Sequence, residues 1–460
     1  MYKIDFTRPI HIHFIGIGGI SMSGFAELLH SYGFTISGSD MQPSKITNHL
    51  QSLGIHIVYG QSEANITKDI DLIVYTAAIS KDNPEFIASK NSGIPMMDRA
   101  EMVGQVMKNY ENAINISGTH GKTTTTSMLS HIFLSGNLDP TISIGGILDV
   151  INGNIRVGKS ENFITEACEY TNSFLKFYPT AGIILNIEAD HLDFFKDLDD
   201  IRHSFHEFAK RIPKDGLLVI NSDISDYKKF VEDLQCNVVT YGMNSKEFNY
   251  NAQNIQYDTL GRGCYDLYKK DVFVDKIQLS VVGEHNVSNS LAAIALSLEL
   301  NIPLEHIKEG LFQFTGTERR FQKKGEFNGV TVIDDYAHHP TEIEATLKSA
   351  HNYPHKDLWV IFQPHTYSRT RAFLDDFAGA LSHADKVILA DIYAAREKDP
   401  GDISSRDIVT RLEALGTEVY YFPTFKEIEE FVKGKCTNGD MLITMGAGDV
   451  VLIGEDLVSK

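Results

Sequence analysis

Residues 112–136 read NAINISGTHGKTTTTSMLSHIFLSG: an apolar run, a glycine-rich turn and a helix-length segment. NAINIS predicts a buried strand, and the turn predicts a helix beginning at its last glycine. Within the turn, Gly118, Thr119, His120, Gly121, Lys122 and Thr123 supply what a phosphate group needs. Glycines let backbone N–H groups close on phosphate oxygens, and the helix N-terminus adds the positive end of its dipole. Lys122 adds a point charge, and the Thr123 hydroxyl can ligate Mg2+. The GxxxxGK[ST] spacing is not met in full, because Ile116 stands five residues before Gly121. Strand, GTHGKT and helix in succession still predict a phosphate-binding βα unit.

Outward from this unit the same alternation recurs on both sides. Upstream, IHIHFIG from Ile10 leads into the turn GIGGISMSG, and strand-like runs follow at 34–37, 55–59 and 71–79. Downstream, VTVIDDYAHHP, LWVIFQPHTYSRTR, KVILADIY, VYYFP and MLITMGAGD each read as a strand ending in polar residues or glycine. The expected fold is α/β with three domains, each on a mostly parallel sheet: Rossmann-like, P-loop ATPase and Rossmann-like. Breaks at the polar stretch NYEN and near Thr317 place the domains at 1–109, 110–317 and 318–460. The stretch 245–280 reads as a more polar, β-rich insertion.

Length agrees with that division, since 460 residues is about three domains of ordinary size and excludes a small stapled scaffold. With 42 Lys plus Arg against 61 Asp plus Glu, the formal charge of −19 argues against nucleic acid or an anionic membrane as partner. Four cysteines without a CxxC pair fit reduced thiols and suggest no zinc site. The N-terminus lacks the apolar run of a signal peptide, and no stretch of about 18 apolar residues suggests membrane insertion. A soluble, cytoplasmic protein is expected.

Polar groups gather at strand ends, where open α/β sheets bind ligands. Gly16, Gly18, Gly19 and Gly24, with Asp40 further on, resemble a dinucleotide fingerprint in which Ser21 replaces the third glycine. Glu166 and Glu169 in TEACEY offer carboxylate oxygen to Mg2+, and His191 in NIEADHLD can add a ligand or orient a phosphate. DDYAHHP (334–340) and QPHTYSRTR (363–371) crowd acids, histidines, tyrosines and arginines onto one sheet edge. Arginine pairs bidentately with carboxylates, so an amino acid is a natural guest there. ERRF (318–321) adds two arginines at a domain junction.

GTHGKTTT, EACEY, NIEADHLD, GEHN and DDYAHHPTE, in this order, resemble the Mur ligases, ATP-dependent amide-forming enzymes of peptidoglycan synthesis. The GIGGISMSG start, SGSD, RAEM and QPHTYSRTR resemble the member that adds the first amino acid. The resemblance implies a UDP-binding, an ATPase and an amino-acid-delivering domain, with ATP and Mg2+ as cofactors. UDP-N-acetylmuramate and L-alanine are the implied substrates. By similarity, Gly118, Thr119, His120, Gly121, Lys122, Thr123 and Thr124 would surround the ATP phosphates, with Lys122 on the β- and γ-phosphates. Thr123 and Glu166 would hold one Mg2+ and His191 a second. Asn286 or Asn289 and Asp335 would contact adenosine, and Arg319 or Arg320 the phosphates. Tyr336, His338, His365 and Arg369 would line the amino-acid pocket, either histidine taking a proton from the amine. Gly18, Gly19, Ser21 and Asp40 would lie along the UDP group. Gln61 and Thr366 stand where relatives often carry histidine and arginine. Three other readings remain open: a ligase that attaches a whole tripeptide, a P-loop ATPase or switch, and a dinucleotide-dependent oxidoreductase.

Overall fold

The computed structural model describes residues 2–243, 247–395 and 397–459. Its three sheets follow one another along the chain and give the expected three-part α/β architecture. The first orders its strands His56–Tyr59, Thr35–Asp40, His11–Ile15, Leu72–Tyr75, Met96–Asp98, all parallel. Strand order reverses direction at His11–Ile15, so the turn after Ile15 opens onto the crevice at the switch point.

The central sheet has ten strands, with Asn112–Ser117 between Ala181–Ile184 and Asn162–Glu166, parallel to both. The polar stretch beyond residue 245 forms an antiparallel extension, Tyr250–Tyr257, Arg262–Lys269 and Val272–Val282, described from residue 247 onward. At the other edge, Thr141–Leu148 and Gly153–Arg156 form a hairpin. The helix Lys122–Ser135 is held against Leu304–Gln313 closely enough that a Cβ on Gly310 would come 2.5 Å from Ile132 Cα. The buried helix Glu284–Glu299, with Leu291 through Leu296 at zero exposure, brings Asn286 and Asn289 to the phosphate turn.

The third sheet runs Gln322–Phe327, Val330–Asp335, Met441–Met445, Leu358–Phe362, Lys386–Leu389, Glu418–Tyr421, antiparallel only at its first pair. The two junctions differ in chemistry. First and central sheets share one continuous apolar core, where Tyr110 stacks on Phe163 at 5.1 Å. The third sheet meets the central one through charged and polar side chains, described below. Among the described residues, no helix is long and apolar enough to cross a membrane.

Candidate active site

The strand Asn112–Ser117 delivers the chain into Gly118 (φ 148) and Gly121 (φ 83), and the helix begins at Lys122. Gly121 is required here: its φ is left-handed, and a Cβ would sit 2.6 Å from Asn289 Oδ1. Asn186 clamps the turn from outside, its Oδ1 accepting from His120 N (2.8 Å) and its Nδ2 donating to His120 O (3.1 Å). Lys122 Nζ donates to Gly118 O (2.5 Å), Thr119 O (3.1 Å) and Glu169 Oε2 (2.9 Å). Burial alone would lower the lysine's pKa, but the Glu169 charge beside it outweighs that and raises it.

Two carboxylates from TEACEY take different stations. Glu166 Oε1 accepts from Gly145 N at 2.6 Å. Thr123 lies across the adjacent glycine, where a Cβ on Gly146 would meet Thr123 Cγ2 at 3.2 Å. Glu169, 3% exposed, stands between Lys122 and His191, whose Nε2 is 3.8 Å from Glu169 Oε1. His191 (φ 52) stacks on Tyr170 at 4.5 Å. A hydroxyl and a carboxylate are donors that Mg2+ takes, so the chemistry of Thr123 and Glu166 fits that ion.

A cleft of about 880 Å3 opens beside the turn, lined by His120, Gly121, Thr124, Asn286, Asn289, Arg320 and Asp335 among others. The two arginines of ERRF part company. Arg319 (φ 59) turns away, its Nε on Asp334 (3.0 Å) and its Nη2 on Gly446 O (2.6 Å). Arg320 faces the cleft, 3.6 Å from Glu342. Both stack over Tyr336, at 4.9 and 5.3 Å. Asp335 is buried and accepts from Phe321 N and Ala337 N, both at 2.8 Å; burial pushes its pKa up to about 6.

The third sheet reaches the central one at its strand ends. Arg369 Nη2 donates to Asp190 Oδ1 at 2.9 Å, and its Nη1 lies 3.2 Å from His365 Nδ1. His338 contacts Tyr336 O (3.0 Å) and Glu342 Oε2 (3.3 Å) through Nδ1, and its ring lies 5.8 Å from that of His365. Burial pulls both histidines down to about 4, with Arg369 adding to the effect, so both are neutral at pH 7. His120 is the opposite case. Burial would lower it, but Glu188 at 3.5 Å and Glu342 at 3.3 Å raise it to about 9. His120, Glu188 and His339 bring ligating atoms within 4.8 Å of one another. The His339 nitrogens are taken by Ala189 O (3.1 Å) and Thr341 N (3.3 Å), so the group reads as an interdomain latch.

The expected site residues thus fall into three groups. Those of the phosphate turn gather with Glu166, His191, Asn286, Asn289, Arg320 and Asp335. Tyr336, His338, His365 and Arg369 gather opposite them on the third sheet. Gly18, Gly19, Ser21 and Asp40 gather on the first: Gly18 N donates to Asp40 Oδ2 (2.8 Å), and Ser21 Oγ accepts from Arg99 Nη1 (3.3 Å). Gln61 Oε1 accepts from Asn83 at 2.5 Å, and Thr366 caps the helix Tyr367–Ala372. Sequence reasoning passed over Asn186, Glu188, Asp190 and Glu342. The first three carried a signal, since they alternate along NIEAD.

Three family models match consecutive stretches of the chain: "Mur ligase family, catalytic domain" over 11–111, "Mur ligase middle domain" over 116–297 and "Mur ligase, glutamate ligase domain" over 319–448. The chain is 61% identical over 469 residues to the UDP-N-acetylmuramate–L-alanine ligase of Lachnoclostridium phytofermentans, covering 100% of both. It is 59% identical over 458 residues to the enzyme of that name in Lachnospira eligens, again covering 100% of both. The solved UDP-N-acetylmuramate-alanine ligase of Thermotoga maritima superposes with a TM-score of 0.80 at 30% identity over 98% of each chain. A murein peptide ligase from Psychrobacter arcticus shares the fold, with a TM-score of 0.71 at 23% identity over 98% of each chain.

Proposed function

Because this chain belongs to the Mur ligase family, we propose that it joins L-alanine to the lactyl carboxylate of UDP-N-acetylmuramate in the cytoplasm, at the expense of ATP. The observation that carries the reading is the shared partner Glu342. It contacts His120 of the phosphate turn, Arg320 of the cleft and His338 of the opposite strand end, so the nucleotide and amino-acid groups form one centre.

A carboxylate does not acylate an amine at neutral pH, because its carbon is shielded by charge and its oxygen leaves poorly. Phosphoryl transfer from ATP gives an acyl phosphate, whose phosphate leaves when the amine attacks. Lys122, already in a ring of oxygen acceptors, exchanges the Gly118 and Thr119 carbonyls for β- and γ-phosphate oxygens. The turn's N–H groups stabilise the transferred charge. Thr123 and Glu166 would hold one Mg2+ and His191, beside Glu169, a second, and the ions would supply positive charge against the phosphates. Asn286, Asn289 and Asp335 orient the nucleoside, while Arg320 covers the phosphates.

On the opposite side, Arg369 is aimed by Asp190 and offers its remaining N–H groups to the α-carboxylate of L-alanine. His338 and His365 are neutral and can accept the proton that the α-amine must lose before attack. Gly18, Gly19, Ser21 and Asp40 take the UDP group at the first sheet's crevice, a long way along the substrate from the lactyl end. The test is phosphate release from ATP with UDP-N-acetylmuramate, adding L-alanine or a tripeptide in turn. Release that requires L-alanine supports the reading; release indifferent to both acceptors, or specific to the tripeptide, overturns it.

A further inference from the structure

On the first sheet a polar chain that the proposed reaction does not use runs from the exposed Asp69 to the buried Glu85. Asp69 Oδ2 is 3.1 Å from His11 Nδ1, and His11 Nε2 is 2.8 Å from Ser37 Oγ. Ser37 Oγ is 2.9 Å from His13 Nδ1, and His13 Nε2 is 2.8 Å from Glu85 Oε1. Glu85 Oε2 then accepts from Ser39 Oγ at 2.6 Å. Glu85 and Ser39 are at zero exposure and His13 at 2%.

Proton counting shows that this chain runs between two acceptors. From Asp69 to Glu85 there are four links, each needing one hydrogen, and both ends are acceptors. His11 Nδ1 and His13 Nε2 therefore carry hydrogen, while the Ser37 hydroxyl serves only one of the two inner links. Glu85, at zero exposure, keeps a partner on each of its oxygens, His13 on one and Ser39 on the other. A carboxylate taken wholly out of water is retained only with such pairing.

The far end of the chain is the glycine-rich turn. The Ser39 carbonyl accepts from Gly16 N (2.9 Å) and Ile17 N (3.0 Å), and the Asp40 carboxylate accepts from Gly18 N (2.8 Å). Ser39 and Asp40 thus hold three successive amides of the turn, and Ser39 is itself held by Glu85. Gly19 begins the helix Ile20–Ser31 without a capping side chain, leaving that helix's first amides to whatever the crevice receives.

We propose that Glu85 is a positioning residue for UDP-N-acetylmuramate: through Ser39 it fixes the turn Gly16–Gly19, and hence the first amides of the helix Ile20–Ser31 that are offered to the diphosphate. The proposal rests on the reading that this crevice takes the UDP group. Glutamine keeps the shape of Glu85 but replaces one carboxylate oxygen by an N–H donor, so one of the His13 and Ser39 links must reverse direction or be lost.

The experiment is steady-state kinetics of the full chain carrying Glu85→Gln, with each substrate varied in turn. KM for UDP-N-acetylmuramate is expected to rise about tenfold, while kcat and the KM values for ATP and L-alanine stay within about twofold. A UDP-N-acetylmuramate KM within about twofold of wild type overturns the proposal, whatever the change in Tm. If Glu85→Gln does not fold, Ser39→Ala decides, because it cuts only the last link: a selective rise of about threefold supports the proposal and none overturns it. Gly18→Val tests the underlying reading, since a Cβ there would meet Asp40 Oδ2 at 2.8 Å. If Gly18→Val raises that KM and Glu85→Gln does not, the positioning role alone fails. If Gly18→Val leaves it unchanged, the crevice assignment fails, and the proposal with it.

Discussion

Arg369 Nη2 lies 2.9 Å from Asp190 Oδ1, and this pair, at 10% and 8% exposure, joins the third sheet to the central one. The Arg369 charge overcomes burial and keeps the Asp190 carboxyl ionised, well below the usual carboxylate range. Replacing Asp190 by Asn leaves the largely buried guanidinium without its counter-charge, which costs about 3 kcal/mol or more. The expected result is a drop in kcat/KM for L-alanine of about a hundredfold, mainly through KM. An unchanged KM for L-alanine in a folded Asp190→Asn variant would contradict the aiming role of Asp190.

Lys122 and Glu169 pose a different test, because each is the other's neutralising partner inside the protein. Lys122→Met should abolish turnover, by about a thousandfold or more, and also lower Tm by stranding the Glu169 charge. Adding Glu169→Gln to it should restore Tm without restoring phosphate release. Thermal melts and phosphate assays on the single and double variants separate the two contributions; recovery of activity in the double variant would show that Lys122 does not act on phosphate.

Glu166→Gln keeps the contact to Gly145 N but removes a negative charge from the proposed Mg2+ ligands. The Mg2+ concentration for half-maximal rate should rise about tenfold, with most of the rate recovered at saturation. A Mg2+ titration of wild type and variant checks this, and superimposable curves would remove Glu166 from the ligand set.

The histidines predict opposite limbs of a stability profile. His120 is raised from 6.5 to about 9, so its stabilisation is complete below 6.5 and lost as pH rises through 9. His338 and His365 are lowered from 6.5 to about 4, so theirs is complete above 6.5 and lost as pH falls towards 4. Asp335, raised from 3.8 to about 6, opposes the acid limb. Melting temperature measured from pH 4 to 10 should peak near neutrality, and His120→Asn should flatten only the alkaline side.

Much of this centre was legible because its residues cluster at strand ends, where a short apolar run followed by glycine or histidine marks the place. The three sheets and the grouping of Lys122 with Glu166 and His191 could be read this way. The hairpin Thr141–Arg156 could not, since TISIGGILDVINGNIR interrupts its apolar alternation with glycines and a short helical turn. Nor could the choice between Arg319 and Arg320. Left-handed backbone at Arg319 and Phe321 sends neighbouring side chains to different surfaces, and no local pattern reports that. Glu342 was missed because its partners come from two sheets, a relation that exists only after docking.

The segment 186–190 works as a ruler. Asn186 grips the phosphate turn, Glu188 accepts from Thr341 Oγ1 at 2.9 Å, and Asp190 meets Arg369, each two residues from the last. Its length therefore sets the spacing between the turn at His120 and the Asp190–Arg369 pair. A residue inserted or deleted within it would leave every side chain of the centre present and set the two halves of the reaction out of reach of each other.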